Sequence, residues 1–344
     1  MTGQEFARFQ AATMAHLSFS LTLACPLRCA HCMVATVSPR DADSASLPVT
    51  VARRFAAEMP AVAAMGISRI SFTGGEPFVA REQLSILSDA AARAGIGCTV
   101  VTACHWAKTP SIAARTIAAF PALDRWHVST DVFHSDQLDP VFVVNAARAL
   151  CDAGREVQIR MAVPADPGGD EAALLDWLRQ RLPAGVGFAV QPVMGGPDPG
   201  CADPACTDGA APPSTPCLTT GPLIRHDGQL SPCCSGLAER LSISPFDRAD
   251  PARTGLVEAI GIWRGDRLLT LIRALGFGYP ALWAAEAGAP TPAAAPRHPC
   301  DYCTALWAAP ATRAAVLDRI ASPEVAARID ALARTLFPQS GVAA

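Results

Sequence analysis

The chain has 344 residues, half of them hydrophobic, which suits one large domain with a smaller one beside it and excludes general disorder. Its net charge of −3 gives no basis for binding nucleic acid or an anionic membrane, and no apolar run approaches the roughly 18 residues of a membrane span. Thirteen cysteines in so long a chain do not suit a small secreted disulfide framework and point to thiols that serve metal or redox chemistry in a reducing cytoplasm. The stretch LSFSLTLAC (17–25) has the apolar character of a short signal core. Its flank MTGQEFAR is not strongly basic, however, and two more cysteines follow at once.

Strand-like and helical patterns alternate through the first 195 residues. Candidate strands are 17–24, 69–73, 98–102, 125–130, 156–163 and 186–193. Helical periodicity lies between them at 49–66, 81–95 and 140–154, the last two closing on Gly95 and Gly154, where a left-handed cap is expected. Such alternation predicts an α/β fold with a parallel sheet and right-handed crossovers, open or curled into a partial barrel. In either form functional groups gather at the carboxyl ends of the strands. The stretches CPLRCAHC (25–32), TGGEP (73–77), TACHW (102–106) and STDVFH (129–134) follow the first four strands and so converge on one edge.

Residues 196–216 are rich in Gly, Pro and small polar residues, as a linker is. PCLTTGPLIRHDGQLSPCCSG (216–236) reads as a hairpin turned at Asp227-Gly228, and a second Ala/Pro-rich loop leads into CDYC (300–303). The tail from about Pro310 to Phe337 reads as helix.

Cys25, Cys29 and Cys32 crowd into eight positions, one ligand short of a closed tetrahedral site. By spacing alone they fit an iron–sulfur loop with one open position, a zinc knuckle, or a thioredoxin-like pair at Cys29 and Cys32. The motif CPLRCAHC resembles the three-cysteine signature of the radical S-adenosylmethionine (AdoMet) superfamily, and GGEP one strand later resembles that family's methionine-binding stretch. The resemblance implies a partial (β/α)6 TIM-like barrel over residues 1–195, with a 4Fe-4S cluster held by Cys25, Cys29 and Cys32. AdoMet would bind at the open iron and be cleaved by one electron to a 5′-deoxyadenosyl radical, which abstracts hydrogen from carbon. Gly74, Gly75, Glu76 and Pro77 would contact the methionine end, with Glu76 as acceptor for its ammonium. Ser129 and Asp131 stand where related enzymes touch the ribose, and Arg160 suits the AdoMet carboxylate. Where many relatives read Thr-Asn-Gly, this chain reads Thr102-Ala103-Cys104, which makes Cys104 a candidate hydrogen donor or a small buried thiol.

Cys217 and Cys233 around the hairpin resemble the opening of a SPASM extension, and Cys300-x-x-Cys303 its closing motif. The two further cysteines of a full SPASM domain are replaced by Ala309 and Arg313. The resemblance therefore implies a shorter α+β "twitch" region over 217–309. Cys217, Cys233, Cys300 and Cys303 would hold one auxiliary 4Fe-4S cluster, with Cys206 or Cys234 as alternates and structural zinc as the other reading. Residues 310–344 form a C-terminal helix and tail.

The expected activity is that of an oxidoreductase acting in maturation of a ribosomally made peptide natural product, supplied with electrons by a flavodoxin- or ferredoxin-type donor. A sugar, aminocyclitol or nucleotide substrate is the second expectation, and a non-catalytic zinc-binding protein the third. Some sixteen residues precede the first strand, too few for a leader-peptide-recognition domain, so a separate protein would supply that function.

Overall fold

Helix α1 (Gly3–Met14) comes before any strand and is fixed by its own capping box. The Glu5 amide donates to Thr2 Oγ1 (3.2 Å) and the Thr2 amide to Glu5 Oε2 (2.6 Å). The structure, a computed structural model, describes residues 2–164, 168–193, 214–219, 221–233, 250–289 and 299–336.

Six strands follow: β1 (His16–Ser20), β2 (Arg69–Thr73), β3 (Gly97–Thr102), β4 (Arg125–Ser129), β5 (Glu156–Val163) and β6 (Gly187–Pro192). They are connected by α2 (Val49–Ala64), α3 (Arg81–Arg93), α4 (Pro110–Ala118), α5 (Val132–Ser135), α6 (Val141–Asp152) and α7 (Gly169–Arg181). Each strand pairs in parallel with its predecessor. Strands added always on the same side, with right-handed crossovers, put all helices on one face, the winding of a TIM-like barrel and not of a doubly wound sheet. The expected glycine caps are present, Gly95 at φ +77° and Gly154 at φ +65°.

The strands alternate polar and apolar residues, which a parallel sheet covered on both faces would not do. Leu17, Phe19, Ile70, Phe72, Val100, Trp126, Val128 and Ile159 lie on the helix side and are wholly buried, packed with Phe55, Met59, Leu84, Leu87 and Leu150. The residues between them, among them Ser18, Ser71, Thr99, His127, Ser129 and Arg160, face the other way and line a cavity. Two devices bound it at the amino ends of the strands. Arg69 crosses Gly97, whose hydrogen leaves room where a Cβ would lie 2.5 Å from the guanidinium, and forks onto Asp124 at 3.0 and 3.2 Å. Phe9 and Ala12 of α1 lie across the same end.

The hairpin turned at Asp227-Gly228 forms as β7 (Leu223–Ile224) and β8 (Leu230–Ser231). It extends the main sheet, β7 running parallel to β1, because Leu223 and Ile224 bury fully beside it. Seven helices complete the described residues: α8 (Pro251–Thr254), α9 (Leu256–Gly265), α10 (Arg267–Leu275), α11 (Gly278–Glu286), α12 (Pro299–Ala308), α13 (Pro310–Ala321) and α14 (Pro323–Leu336). The last two bear out the helical tail. Arg264 of α9 donates to the carbonyl oxygens of Met65 (2.7 Å) and Met14. Arg273 of α10, 3% exposed, bonds Gln10 and lies 4.9 Å over the Trp263 ring, while Thr13 Oγ1 donates to the Thr219 carbonyl at 3.0 Å. Helix α1 is thus clamped between the barrel and the C-terminal helices. The linker at 196–213 lies outside the described residues.

Candidate functional site

Past β1 the chain is held in place by backbone bonds that lead into the cysteine loop. The amide of Leu21 donates to Thr73 O (2.9 Å), that of Leu23 to Ala45 O (2.8 Å) and that of Cys25 to Val37 O (3.0 Å). Inside the loop, the Arg28 guanidinium donates to the carbonyls of Cys25 (2.8 Å) and Leu27 (2.9 Å), and a turn brings the Cys32 amide to Cys29 O at 3.0 Å. Cys25 is buried with Leu27 and Ala103, Cys29 and Cys32 are half-buried, and Cys32 lines the cavity. All three thiols are free of disulfides. Burial pushes the Cys25 thiol up to about 12, with nearby Glu76, Cys29 and Cys32 adding to the effect, so a metal that binds there displaces a proton. Three soft donors on one fixed loop fit an iron–sulfur cluster with an open position.

GGEP lies directly on this loop. Gly75 donates its amide to Thr22 O (2.6 Å) and Glu76 its amide to Ala24 O (2.9 Å). A Cβ on Gly75 would stand 2.5 Å from the Ala24 carbonyl oxygen, so only glycine permits the contact. The Glu76 side chain, expected as an ammonium acceptor, is engaged within the chain. It is 1% exposed, and its oxygens accept from Thr102 Oγ1 (2.8 Å), the Phe78 amide (3.2 Å) and the Ala103 amide (2.9 Å). The carboxylate pins the end of β2 to the end of β3. Pro77 is buried and starts a single 3-10 turn.

Cys104 takes a left-handed φ of 59°, alone among the described non-glycine residues. Its thiol is wholly buried and is not among the groups lining the cavity. Burial raises its pKa well above the ordinary thiol range.

The cavity, about 800 Å³, brings Ser129, Asp131 and Arg160 together with Cys32 and GGEP's neighbour Thr73. Ser129 and Arg160 are direct register partners on β4 and β5, and Arg160 donates to Gln191 Oε1 at 3.0 Å. Asp131 is 2% exposed and caps α5. One of its oxygens meets His134 Nδ1 (2.7 Å) and the His134 amide (3.0 Å), and the other faces His31 Nε2 at 3.4 Å. Burial alone would lower His134, but its hydrogen bonds to Asp131 and Cys29 outweigh that and hold it at about 10. Burial would likewise raise Asp131, and the bond and charge of His134 hold it down instead. The two form a buried ion pair beside the cysteine loop. The local sign of this pair in the sequence is the spacing of three between Asp131 and His134 at a helix start.

Of the four downstream cysteines, Cys217 is tied by its amide to Ile272 O of α10 at 2.9 Å, and Cys233 follows Pro232, whose carbonyl accepts from Trp263 Nε1 at 2.9 Å. Cys300 and Cys303 share α12, where Tyr302 stacks on Phe277 at 5.8 Å and Cys303 packs on the core. Cys217 and Cys233 thus border α10 and α9, while the helix of Cys300 and Cys303 packs at Phe277, between α10 and α11. Cys201, Cys206 and Cys234 lie outside the described residues.

The cysteine loop and GGEP lie together at the carboxyl ends of the first two strands of a TIM-like sheet, beside a cavity that Cys32 and Thr73 line. Residues 19–178, from β1 into α7, match the family model described as the Radical SAM superfamily. No curated protein matches the chain. Among solved structures, native anSMEcpe with bound AdoMet and Cp18Cys peptide is similar at 12% identity and a TM-score of 0.50, over 93% of this chain and 99% of that one. Native anSMEcpe with bound AdoMet matches at 14% identity and a TM-score of 0.40 and aligns over about half of each chain, 52%. BtrN in complex with AdoMet and 2-DOIA matches at 11% identity and a TM-score of 0.42, over 77% of this chain and 88% of that one. These likenesses concern the fold. Among the described residues no single helix is long and apolar enough to cross a membrane.

Proposed function

We propose that the chain is a radical SAM oxidoreductase that cleaves AdoMet reductively, removes hydrogen from a substrate carbon, and leaves that carbon oxidised or cross-linked in a peptide. The observation that carries the reading is the three-thiol loop lying on GGEP at the mouth of a cavity that Ser129 and Arg160 line. When bound, the 4Fe-4S cluster supplies the electron that turns AdoMet into methionine and a 5′-deoxyadenosyl radical.

The remaining work falls to the chain's own groups. Cys25, Cys29 and Cys32 would hold the cluster, with Arg28 fixing the loop that carries them. The backbone of Gly74 and Gly75 would receive the methionine ammonium, Arg160 the carboxylate and Ser129 with Asp131 the ribose, and the cavity wall would shield a carbon-centred radical from solvent. Cys217, Cys233, Cys300 and Cys303 would hold an auxiliary cluster that accepts an electron from the substrate. The division into a radical SAM region to 195, a linker to 216, a twitch-like region to 309 and a C-terminal tail belongs to the same proposal. So do a flavodoxin- or ferredoxin-type donor and a separate leader-peptide-binding protein.

Anaerobic reconstitution tests this reading. Wild-type protein is expected to bind about eight iron atoms and to release 5′-deoxyadenosine under dithionite. Cys29→Ala abolishes that release, while Cys300→Ala keeps it and loses product. A colourless zinc protein, or undiminished product from Cys300→Ala, refutes the respective part.

A further inference from the structure

The cavity wall is unusual in charge. The guanidiniums of Arg69, Arg125 and Arg160 line it, whereas Asp131 is the one carboxylate among the described lining residues. That carboxylate is already engaged by His134 and His31. Arg69 and Arg125 pair with Asp124 (3.0 Å) and Glu156 (2.7 Å), but neither of those acids lines the cavity. The pairs therefore place their positive ends inward and their negative ends outward.

Across the sheet, Ser18, Ser71, Thr99 and Arg125 are successive register partners on β1 to β4, and all four line the cavity. They form a row of hydroxyl groups that ends in a guanidinium. Beside Arg125 on the same face of β4 stands His127. Its ring nitrogens meet no hydrogen-bond partner among the described residues, so its imidazole is offered to whatever occupies the cavity. Burial first, then Arg160, Arg125 and Arg69, lower its pKa to about 4. The outward-facing acids thus leave the cavity positive.

We propose that this wall is the substrate's anchoring site and that the substrate carries an oxyanion, a carboxylate or a phosphate, seated on Arg125 and His127 with the Ser71 and Thr99 hydroxyls beside it. The inference rests on the reading of this cavity as the substrate chamber and names the class of substrate it takes. Arg160 is left to the cofactor, so the anchor is a separate site, lower on β4. An acidic side chain or free C-terminus of a peptide satisfies it, as does a phosphorylated metabolite; an uncharged or cationic substrate does not.

The test is calorimetric titration of reconstituted protein, saturated with AdoMet, with inorganic phosphate and separately with propionate. Saturable binding of either anion is expected, and which of them binds identifies the source of the oxyanion. Arg125→Gln and His127→Phe each weaken it about tenfold or more, while Glu156→Gln tightens it a few-fold by releasing Arg125 from its competitor. In wild-type protein the bound anion also moves the His127 imidazole pKa upward in a carbon-13 NMR titration, a response that a purely structural histidine would not give. Thermal midpoints are measured alongside. His127→Phe leaves the Arg125–Glu156 pair intact and decides the matter if Arg125→Gln unfolds. Absence of saturable binding by both anions, or undiminished binding by His127→Phe, overturns the proposal. Failure here with AdoMet cleavage intact refutes only the anchoring site. Anion binding without any AdoMet cleavage refutes only the enzymatic reading.

Discussion

Replacing Gly75 by alanine isolates the seam between GGEP and the cysteine loop. The added Cβ would lie 2.5 Å from Ala24 O, 2.8 Å from Ala24 C and 2.8 Å from Leu23 O, all of them backbone atoms. The first is about 0.9 Å inside the 3.4 Å at which ordinary contact begins, so one strand end must move by most of that distance. Gly75 is not among the glycines at positive φ, hence the penalty is one of space and not of backbone conformation. Overpacking of a close-packed region costs about 1–3 kcal/mol, which for a protein of this size lowers the thermal midpoint by roughly 1–4 °C. Because Ala24 precedes Cys25, the displacement should also reduce cluster loading, read as iron content and visible absorbance after anaerobic reconstitution. Gly169→Ala is the control, since a Cβ there meets nothing within 4 Å. A Gly75→Ala protein with wild-type midpoint and full iron content would show that the two segments do not depend on each other.

Glu76→Gln should destabilise the fold by about 2–3 kcal/mol, measured by urea unfolding, because whichever oxygen becomes the amide turns a donor toward a donor. His127 titrates at about 4 in the folded chain, below the ordinary 6.5, so unfolding takes up a proton between those values. Stability is then constant above about pH 6.5 on this account and declines as pH falls toward 4, and His127→Gln should flatten that decline relative to wild type. Arg273→Met should lower the thermal midpoint and open α1 to limited proteolysis, as the bond to Gln10 and the stacking over Trp263 are lost together.

Strands β2 and β5 were legible to the residue, since period-two alternation and flanking glycines mark a strand locally. Strand β1 stops at Ser20 and not at residue 24, because beyond it the chain turns to pair with Val37 and Ala45 in its own loop. Nothing local announces that pairing. Helix α1 went unread for a similar reason: its apolar face is weak, and the partners that hold it, Thr219, Arg264 and Arg273, lie some 200 residues away or more. At the site, residue types and spacing placed Cys25, Cys29, Cys32 and GGEP on one edge. The orientation of Glu76 and Cys104 was not legible, because it depends on which amides a neighbouring strand end presents. The hairpin was read correctly as a turn, but its attachment to β1 is a tertiary fact that its sequence does not encode alone.

The clamp on α1 also bears on the order of assembly. Gln10 leaves the ribosome 263 residues ahead of its buried partner Arg273. Closing a loop of that length precedes any reward from the contact, so the step is late and slow. During synthesis the barrel strands can pair while their lower end still stands open to water. That end of the chamber takes its final form only once the helices that carry Arg264 and Arg273 have been made.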